Sequence, residues 1–322
     1  MPKKLAVKIY HGFGHMHDLL VFGHVFRKNA RVHTHYTYNP LANMLRLLKY
    51  FFLKPVPDIP LTLEWNDQSV KGKSEDDGFF SIEWSAEREI EAGWHDVKVK
   101  CAGESRSCIP GEGKVFVPHS TQYAFISDID DTILVSHSAT IGKRLKELLF
   151  KNPHTRSIFP DVERHYSLLA KAHTTAEAPN PFFYVSSSEW NLYDYLRDLF
   201  TFQKLPNGVF LLSQFKRWNR FWKTGKTKHE GKLLRIARVL EVFPKQRFVL
   251  FGDNSQSDPA IYSKLAEKYG SQIFAVYIRN VSSRNEAVTN ELLSRISKTG
   301  THVLLFKESR VAIDHSKQIG LI

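Results

Sequence analysis

The sequence is poor in sulfur, with only 2 cysteines and 3 methionines among 322 residues. Two cysteines cannot form the disulfide framework of a small secreted protein, so they predict a protein of a reducing compartment. A single cross-strand pair between Cys101 and Cys108 remains compatible with the sequence. The 17 glycines and 14 prolines are too few for a collagen-like or low-complexity chain, which leaves an ordinary globular protein.

Long hydrophobic runs are also missing. The densest apolar stretch, Leu41–Leu53, contains Arg46 and Lys49 and is shorter than the roughly 20 residues that cross a bilayer. Its helical spacing predicts either a helix lying on a membrane or a helix packed over neighbouring strands. Near the start of the chain, Lys8 interrupts the apolar run too early for a signal peptide. We therefore expect a cytoplasmic protein that is not integral to a membrane.

Residues 1–120 are predicted to form a β-rich accessory domain. Asp77-Gly78 is a turn signal, and the apolar residues Phe80, Ile82 and Trp84 follow it at alternating positions, as on one face of a strand. Further short runs that share this character predict a small β-sandwich. These runs lie near Ala6–Tyr10, Leu20–Arg27, Leu61–Trp65 and Val97–Cys101.

Beyond Pro118 the pattern changes, because short apolar runs alternate with helical segments. This alternation predicts a parallel sheet with helices on both faces, and we assign residues 121–322 to this second domain. The predicted strands are Tyr123–Ser127, Phe182–Val185, Val209–Leu212, Phe248–Phe251, Ile273–Ile278 and Val303–Phe306. The predicted helices are Leu192–Phe200, Lys232–Val242, Pro259–Tyr269 and Glu286–Lys298.

Three of the predicted strands end in polar residues. The first ends Ser-Asp-Ile-Asp-Asp-Thr from Ser127, the second ends in three serines from Ser186, and the fourth continues as Gly-Asp-Asn-Ser-Gln-Ser-Asp from Gly252. Ligands of such sheets bind beyond the carboxyl ends of the strands. Aspartates from two strand ends would form an oxygen site of the kind that Mg²⁺ prefers, with room for a phosphate. Turn and cap residues are the plain alternative, but three such ends in one order favour a site.

The order of these residues resembles the four motifs of haloacid dehalogenase superfamily phosphatases. The motifs are Asp-x-Asp-x-Thr from Asp128, a strand-end Ser186, Lys232, and Gly-Asp-x-x-x-x-Asp with Asp253 and Asp258. The longer words Phe-Ile-Ser-Asp-Ile-Asp-Asp-Thr-Ile and Phe-Tyr-Val-Ser-Ser-Ser-Glu-Trp-Asn-Leu-Tyr are more specific. They resemble the catalytic domain of the actin-patch-protein type of Mg²⁺-dependent phosphatidate phosphatase, over about residues 121–320.

This resemblance implies a Rossmann-like haloacid dehalogenase fold and a role for each motif residue. Asp128 would be the nucleophile that forms an aspartyl phosphate, and Asp130 the general acid and base. Thr132 would orient Asp130, while Ser186 and Lys232 would bind the phosphoryl oxygens. The implied ligands of Mg²⁺ are Asp128, the backbone carbonyl of Asp130, Asp253 and, through water, Asp258. Residues 133–181 lie where this superfamily inserts a cap over the site.

Two assignments stay open at this stage. Ser186 is the first polar residue after its strand, but Ser187 could contact the phosphate instead. Lys232 begins an apolar-periodic helix, whereas Lys228 belongs to a basic run and could be the motif lysine or a solvated side chain. We favour Ser186 and Lys232.

Positive charge is concentrated next to the predicted lysine motif. The formal net charge is +12, and residues 204–247 alone hold 12 basic and 2 acidic side chains. Cations and aromatic residues interleave there at Lys216, Arg217, Trp218, Arg220, Trp222 and Lys223. Such a segment could bind an anionic lipid surface, stack on single-stranded nucleic acid, or simply be a solvated loop. A neighbouring phosphate site favours the lipid, and charge reversal at the first three basic residues is expected to weaken liposome binding.

The resemblance thus implies a Mg²⁺-dependent phosphatidate phosphatase that releases diacylglycerol and phosphate, and we expect it to be peripheral at the membrane. One alternative is the same chemistry on a soluble or nucleic-acid terminal phosphate. The other is a non-catalytic basic protein that binds lipid or nucleic acid. Nucleic acid is the less favoured partner, and the sequence does not indicate an oligomeric state.

Overall fold

The computed structural model describes residues 4–27, 54–103, 108–119, 121–136, 156–213 and 228–322. The first nine strands are β1 (Leu5–Ile9), β2 (Gly12–His15), β3 (Asp18–Arg27), β4 (Pro60–Trp65), β5 (Gln68–Lys73), β6 (Phe79–Trp84), β7 (Gly93–Cys101), β8 (Cys108–Ile109) and β9 (Gly111–Val117). The other six strands are β10 (Tyr123–Asp128), β11 (Phe182–Glu189), β12 (Gly208–Ser213), β13 (Arg247–Asp253), β14 (Ile273–Arg279) and β15 (His302–Phe306). The α-helices are α1 (Val162–Ala170), α2 (Tyr193–Phe202), α3 (Lys228–Val242), α4 (Asp258–Tyr269), α5 (Glu286–Ser297) and α6 (Ser309–Gln318).

The nine N-terminal strands belong to one hydrogen-bonded sheet. Its order is β5-β4-β7-β9-β2-β3-β1-β8, and β6 pairs with β3. Most pairs are antiparallel, but β2 runs parallel to β9 and β1 parallel to β8. The predicted β-rich character is therefore confirmed. The division into the two facing sheets of a sandwich stays a prediction, since the described strands are continuous in their hydrogen bonding.

Cys101, at the end of β7, is joined by a disulfide to Cys108 in β8, with 6.1 Å between the Cα atoms. This is the cross-strand pair that the sequence left open. Disulfides persist mainly in oxidising compartments, so the bond does not support the expectation of a reducing compartment, and the cytoplasmic location stays a prediction. Among the helices that the described ranges contain, none is long and apolar enough to cross a membrane.

The six C-terminal strands form a second, fully parallel sheet in the order β12-β11-β10-β13-β14-β15. The predicted α/β character with a parallel sheet is confirmed, and each predicted strand occurs within a residue or a few of its expected bounds. The chain first adds strands on one side of β10 and then returns to add β13 on the other. Such a reversal opens a crevice at the carboxyl ends of the two central strands, where a ligand can bind.

Both faces of this parallel sheet are covered by helices, because successive side chains of a strand point to opposite faces. On β10, Phe125 belongs to one buried apolar cluster, while Ala124 and Ile126 belong to another. Helices α1, α2 and α6 contribute to the first cluster, and α3, α4 and α5 contribute to the second. The sheet is therefore buried on both sides, which explains why its strands are continuous apolar runs.

Two helices were not predicted from the sequence. Helix α1 buries Val162, Tyr166 and Leu169, a regular helical spacing within the segment that was interpreted only as a cap insertion. Helix α6 is rich in polar residues and buries only a narrow stripe that includes Ala312 and Ile313. The predicted helix at 41–53 lies outside the described residues, as do residues 137–155 of the segment that was interpreted as a cap insertion.

The N-terminal sheet packs directly on the parallel-sheet region. Phe13 and Leu20 share a buried cluster with Phe183 of β11 and Phe243 beyond α3. On the other side, Lys8 forms an ion pair with Asp194 of α2, with 2.7 Å between Nζ and Oδ1. The β-rich region therefore forms part of the surroundings of the strand ends described next.

Candidate active site

Strands β10 and β13 end side by side in aspartates. Asp128 is the last residue of β10 and Asp253 the last residue of β13, and the two strands pair in parallel. Both side chains are buried. The predicted convergence of two aspartates at one sheet edge therefore occurs, at the crevice where the strand order reverses.

Lys232, in the first turns of α3, connects Asp128 with Asp258. Its Nζ donates to Asp128 Oδ1 at 2.6 Å and to Asp258 Oδ1 at 2.5 Å. Asp258 is the first residue of α4, and its other oxygen, Oδ2, accepts a hydrogen bond from the backbone N–H of Asp253 at 3.4 Å. The structure thus brings Lys232 into the aspartate cluster, whereas the side chain of Lys228 lies outside the described residues.

The position directly before Asp253, Gly252, has room for no side chain. A Cβ at Gly252 would lie 2.7 Å from Asp258 Oδ2 and 2.8 Å from Asp258 Cβ, which is closer than carbon and these atoms approach in proteins. Tyr262, on the next turn of α4, donates through its hydroxyl to the carbonyl of Phe251 at 2.7 Å. Gly252 therefore lets α4 approach the end of β13 and brings Asp258 next to Lys232.

Burial dominates the electrostatics of this cluster. It raises the pKa of the Asp128 carboxyl well above its usual value, an effect that Lys232 opposes and the neighbouring carboxylates reinforce. Burial, followed by repulsion from Asp258, raises the pKa of Asp253 to about 7. Burial lowers the pKa of Lys232, but attraction to Asp128 and Asp258 outweighs it and raises the pKa above the ordinary lysine value. Full ionisation of these carboxyl groups would leave more negative charge than one ammonium neutralises, which explains why the charged forms of Asp128 and Asp253 are disfavoured.

The three carboxylates are arranged to hold a cation. One oxygen from each of Asp128, Asp253 and Asp258 lies within 4.8 Å of the others. Asp253 Oδ1 accepts a hydrogen bond from the backbone N–H of Ser255 at 2.6 Å, while its Oδ2 is buried and has no partner among the described residues. A buried carboxylate oxygen without a donor is costly, and hard divalent cations with oxygen ligands fit such a donor set.

Asp130 lies two residues beyond the end of β10 and contacts the end of β11. Its Oδ1 accepts from Ser136 Oγ at 2.9 Å and from Arg156 Nη2 at 3.1 Å. Its Oδ2 lies 3.4 Å from both Ser186 Oγ and Ser188 Oγ. Thus the second carboxylate of the Asp-x-Asp motif contacts the serine segment, by which we mean residues 186–188.

The two remaining motif residues also reach the site. Thr132 Oγ1 donates to Asp128 Oδ2 at 3.3 Å, so it orients the first aspartate, whereas the resemblance implied that it orients Asp130. In the serine segment, Ser186 is buried and its Oγ accepts from the backbone N–H of Ser188 at 3.0 Å. Ser187 is half-buried. The register between β11 and β12 shifts at this point, which lets the serine segment turn out of the sheet.

Sequence reasoning missed three side chains that contact Asp130, namely Ser136, Arg156 and Ser188. It also missed Arg279, whose Nε donates to the carbonyl of Thr132 at 3.0 Å from the end of β14. Each contributes a polar group from a different segment, and no local pattern relates those segments. The six residues predicted to contact lipid lie outside the described residues, namely Lys216, Arg217, Trp218, Arg220, Trp222 and Lys223.

Comparison with known proteins identifies the region around this site. Residues 123–280 match the family model of the phosphatidate phosphatase APP1 catalytic domain. The chain is 32% identical over 176 residues to phosphatidate phosphatase APP1 of Saccharomyces cerevisiae, covering 52% of this chain and 28% of that protein. It is 24% identical over 162 residues to an uncharacterized protein of Schizosaccharomyces pombe, covering 50% of this chain and 25% of that protein. The chain therefore spans about a quarter of the length of these curated relatives.

Similarity to solved structures is weak. The PilB minor pilin from Streptococcus sanguinis aligns with a TM-score of 0.33 and 10% identity over 88% of this chain and 96% of that chain. The sequence comparisons are the informative ones, and they confirm the resemblance stated from the motif residues. Residues 123–280, which contain the aspartate cluster, Lys232 and the serine segment, match the family model of the phosphatidate phosphatase APP1 catalytic domain and are similar in sequence to the yeast protein of that name.

Proposed function

We propose that this protein is a Mg²⁺-dependent phosphatidate phosphatase that hydrolyses phosphatidate to diacylglycerol and phosphate. The observation that carries the proposal is the contact of Lys232 Nζ with both Asp128 and Asp258 at the sheet edge, inside the region that matches the APP1 family. One cluster then contains the three kinds of group that this hydrolysis requires: a carboxylate as the nucleophile, an ammonium that binds phosphate, and carboxylates that bind a metal ion.

The residues present fit a divalent cation. Three carboxyl groups, those of Asp128, Asp253 and Asp258, face the single ammonium of Lys232, and Asp253 Oδ2 is buried without a donor among the described residues. We propose that these three aspartates, with the backbone carbonyl of Asp130, hold Mg²⁺ directly or through water. The ion would neutralise charge on the substrate phosphate and on the attacking carboxylate.

In the first step, Asp128 attacks the phosphorus of the substrate. A bond forms between a carboxylate oxygen and phosphorus as the bond from phosphorus to the ester oxygen breaks, which yields an aspartyl phosphate and diacylglycerol. The hydrogen bond from Thr132 to Asp128 Oδ2 and the contact of Lys232 with Oδ1 fix the orientation of the nucleophile. A covalent intermediate divides the hydrolysis into two displacements with lower barriers.

Asp130 transfers a proton in each of the two steps, first as the general acid and then as the general base. It first donates a proton to the ester oxygen of the departing diacylglycerol. It then takes a proton from the water that attacks the aspartyl phosphate, which releases inorganic phosphate and frees Asp128. An acid on the same loop as the nucleophile can lie across the phosphoryl group from it, and positioned proton transfer of this kind contributes roughly 10²-fold to 10⁴-fold.

Lys232 and Ser186 are proposed to bind the transferring phosphoryl group. Lys232 would exchange its hydrogen bond to one carboxylate for a hydrogen bond to a phosphoryl oxygen. The number of anionic groups in contact with the ammonium would then stay the same. Ser186 Oγ, 3.4 Å from Asp130 Oδ2, would donate to another oxygen. Asp258, bonded to Lys232 at 2.5 Å, keeps the ammonium charged and in place.

The predictions of fold, domain division and location remain part of this proposal. We propose a haloacid dehalogenase fold for residues 121–322, an accessory β-sandwich domain for residues 1–120, and a cytoplasmic protein peripheral at an anionic membrane. The overall charge of +12 supports attraction to anionic phospholipid. The name of the yeast relative supports phosphatidate as the substrate.

The test is phosphate release from phosphatidate in detergent micelles, with Mg²⁺ or with EDTA, for the wild type and Asp128→Asn. We expect release to require Mg²⁺ and to fall about 10³-fold or more in Asp128→Asn. Asp314→Asn, an exposed substitution on α6, serves as the matched control and should retain full activity. Hydrolysis of a soluble aryl phosphate but not of phosphatidate would support the phosphatase mechanism and exclude phosphatidate as the substrate. Release from neither substrate would favour a non-catalytic binding protein.

A further inference from the structure

Arg156 lies against the carboxylate of Asp130 in a buried contact. Its Nη2 is 3.1 Å from Asp130 Oδ1, and only 3% of the Arg156 side chain and 8% of the Asp130 side chain are exposed. The same Nη2 donates to Ser136 Oγ at 2.7 Å, and Ser136 Oγ donates to Asp130 Oδ1 at 2.9 Å. The three side chains form a closed triangle that ends on one oxygen of the carboxylate.

The backbone around Arg156 is held to the loop that carries Asp130. Leu134 and Ile158 form an antiparallel bridge, and the carbonyl of Arg156 accepts from Gln203 Nε2 at 3.1 Å, at the end of α2. The guanidinium is therefore supported from two directions, because its main chain is fixed both to the Asp130 loop and to a helix. A side chain supported in this way can hold its partner in one orientation.

The two oxygens of Asp130 have different surroundings as a result. Among the contacts that the described residues make, Oδ1 receives the two shorter ones, from Arg156 and Ser136, and Oδ2 lies 3.4 Å from Ser186 Oγ and Ser188 Oγ. Oδ1 is thus the anchored oxygen. Oδ2 is the oxygen turned toward the side chain proposed to bind phosphate.

We propose that Arg156 is a positioning residue: with Ser136 it anchors Oδ1 of Asp130, so that Oδ2 is the oxygen that exchanges the proton with the ester oxygen and then with water. The inference rests on the proposed function, since it assigns an atom to the proton transfer described above. The proton leaves Oδ2 as the bond from phosphorus to the ester oxygen breaks, and it becomes the hydroxyl proton of the released alcohol.

A second observation supports a role in the site over a role in folding alone. Arg156 Nε is buried and has no hydrogen-bond partner among the described residues. Buried ion pairs contribute little net stability compared with apolar residues of similar size, and an unpaired buried donor adds a further cost. A guanidinium offers several donors in a fixed plane and stays charged, which suits it to fixing one carboxylate orientation.

The test compares two kinds of substrate. Alkyl phosphates, phosphatidate among them, have poor leaving groups that need a proton, whereas a nitrophenyl phosphate has a leaving group that departs without one. Arg156→Gln should lower kcat/KM for phosphatidate by about 10²-fold and kcat/KM for the aryl phosphate by less than about 10-fold. This ratio reports only the steps up to departure of the leaving group, so the later attack of water, which is the same for both substrates, does not enter it. Arg156→Lys, which keeps the charge and loses the planar fork, should give an intermediate loss on the alkyl substrate.

Controls separate this role from a structural one. Arg164→Gln removes an exposed arginine of α1 and should leave both activities unchanged. Asp130→Asn should show the same preference for the aryl substrate, and adding Arg156→Gln to it should cause no further loss. Equal losses of Arg156→Gln in kcat/KM on both substrates, or additive losses in the double variant, would overturn the positioning role.

Thermal unfolding provides a readout that does not depend on activity. Arg156→Gln removes a buried cation that contacts the Asp130 carboxylate, so it should lower Tm, and the double variant with Asp130→Asn should unfold at a higher temperature than Arg156→Gln alone. A double variant that unfolds at the lower temperature would show that the two side chains do not act as a pair. If the wild-type protein releases no phosphate from either substrate, the proposed function is refuted. That result differs from the outcomes that would overturn the positioning role of Arg156.

Discussion

The ring of Tyr10 stacks on the indole of Trp190, with 4.4 Å between the ring centroids and 19° between the ring planes. Tyr10 follows β1 in the N-terminal sheet, and Trp190 lies two residues after the serine segment. Both side chains are buried, at 2% and 3% exposure. The stack therefore connects the β-rich region to the residues that face Asp130.

Tyr10→Ala should remove this connection and lower the free energy of unfolding by about 3 to 5 kcal/mol, because it leaves a cavity where an aromatic ring is fully packed. Tyr10→Phe is the matched control, since it keeps the stack and loses only the contact of the hydroxyl with His24 Nδ1 at 3.1 Å. We expect it to cost about 1 kcal/mol. Equal losses in the two variants, measured by denaturant unfolding, would mean that the stack itself contributes nothing.

The ion pair between Lys8 and Asp194 makes the same junction sensitive to charge. Lys8 Nζ lies 2.7 and 2.8 Å from the two carboxylate oxygens, and only 8% of the Asp194 side chain is exposed. Arg197 is farther away, at 3.8 Å. Lys8→Met should therefore destabilise the protein by about 2 to 4 kcal/mol, because it leaves a buried carboxylate with a weak partner.

The double variant Lys8→Met with Asp194→Leu should recover part of this loss, since it removes both charges together. Lys73→Met, which breaks the exposed pair with Asp58, is the control and should change stability little. A denaturant double-mutant cycle measures the coupling. Additive losses would show that Lys8 acts through packing and not through Asp194.

The elements that the sequence predicted correctly are those encoded by neighbouring residues. The strand that ends at Asp128 is a continuous apolar run, and the aspartates directly beyond it form a contiguous motif, so both could be found without knowledge of the fold. Lys232 was placed by its position at the start of an apolar-periodic helix. The convergence of these residues then follows from the general geometry of parallel sheets.

The contacts that the sequence did not predict join distant segments. Arg156 meets Asp130 across 26 positions, and nothing near Arg156 distinguishes it from the other arginines of the chain. The parallel pairing of β2 with β9 joins the N-terminal strands into one sheet. The alternation of apolar residues along a strand does not show which other strand it pairs with. Such pairings depend on the packing of the whole fold, which local patterns do not contain.

Asp253→Asn should stabilise the metal-free protein while abolishing its response to Mg²⁺. Burial and Asp258 raise the pKa of Asp253 to about 7, so its ionised form at pH 8 is unfavourable in the folded protein. Removing that charge should increase the free energy of unfolding in EDTA by about 2 kcal/mol. Added Mg²⁺ should raise Tm of the wild type and not of Asp253→Asn, because ligands stabilise only the protein that binds them.

The exposed Asp314→Asn on α6 is the control for that comparison and should retain the full shift of Tm with Mg²⁺. A metal-free Asp253→Asn protein that unfolds at a lower temperature than wild type would argue against excess negative charge in the cluster. An equal response of Asp253→Asn and wild type to Mg²⁺ would argue against Asp253 as a ligand.

Buried histidines should make the folded protein sensitive to mild acid. Burial lowers the pKa of His24 to about 3, and the pKa of His165 is lowered to about 3 chiefly by burial. Their unfolded-state pKa is about 6.5, so the unfolded chain binds more protons between these values. The stability that each neutral imidazole contributes is present above pH 6.5 and is lost as the pH falls, by about 1.4 kcal/mol per pH unit per histidine.

His24→Gln should reduce the slope of unfolding free energy against pH between pH 6 and 4.5 by about one proton, since glutamine keeps a polar group near Tyr10 and does not titrate. The packing loss caused by the substitution is independent of pH and leaves the slope unaffected. His17→Gln, at an exposed position, should leave the wild-type slope unchanged. Parallel curves for wild type and His24→Gln would show that His24 takes up its proton without unfolding, and thus that its surroundings admit the charged ring.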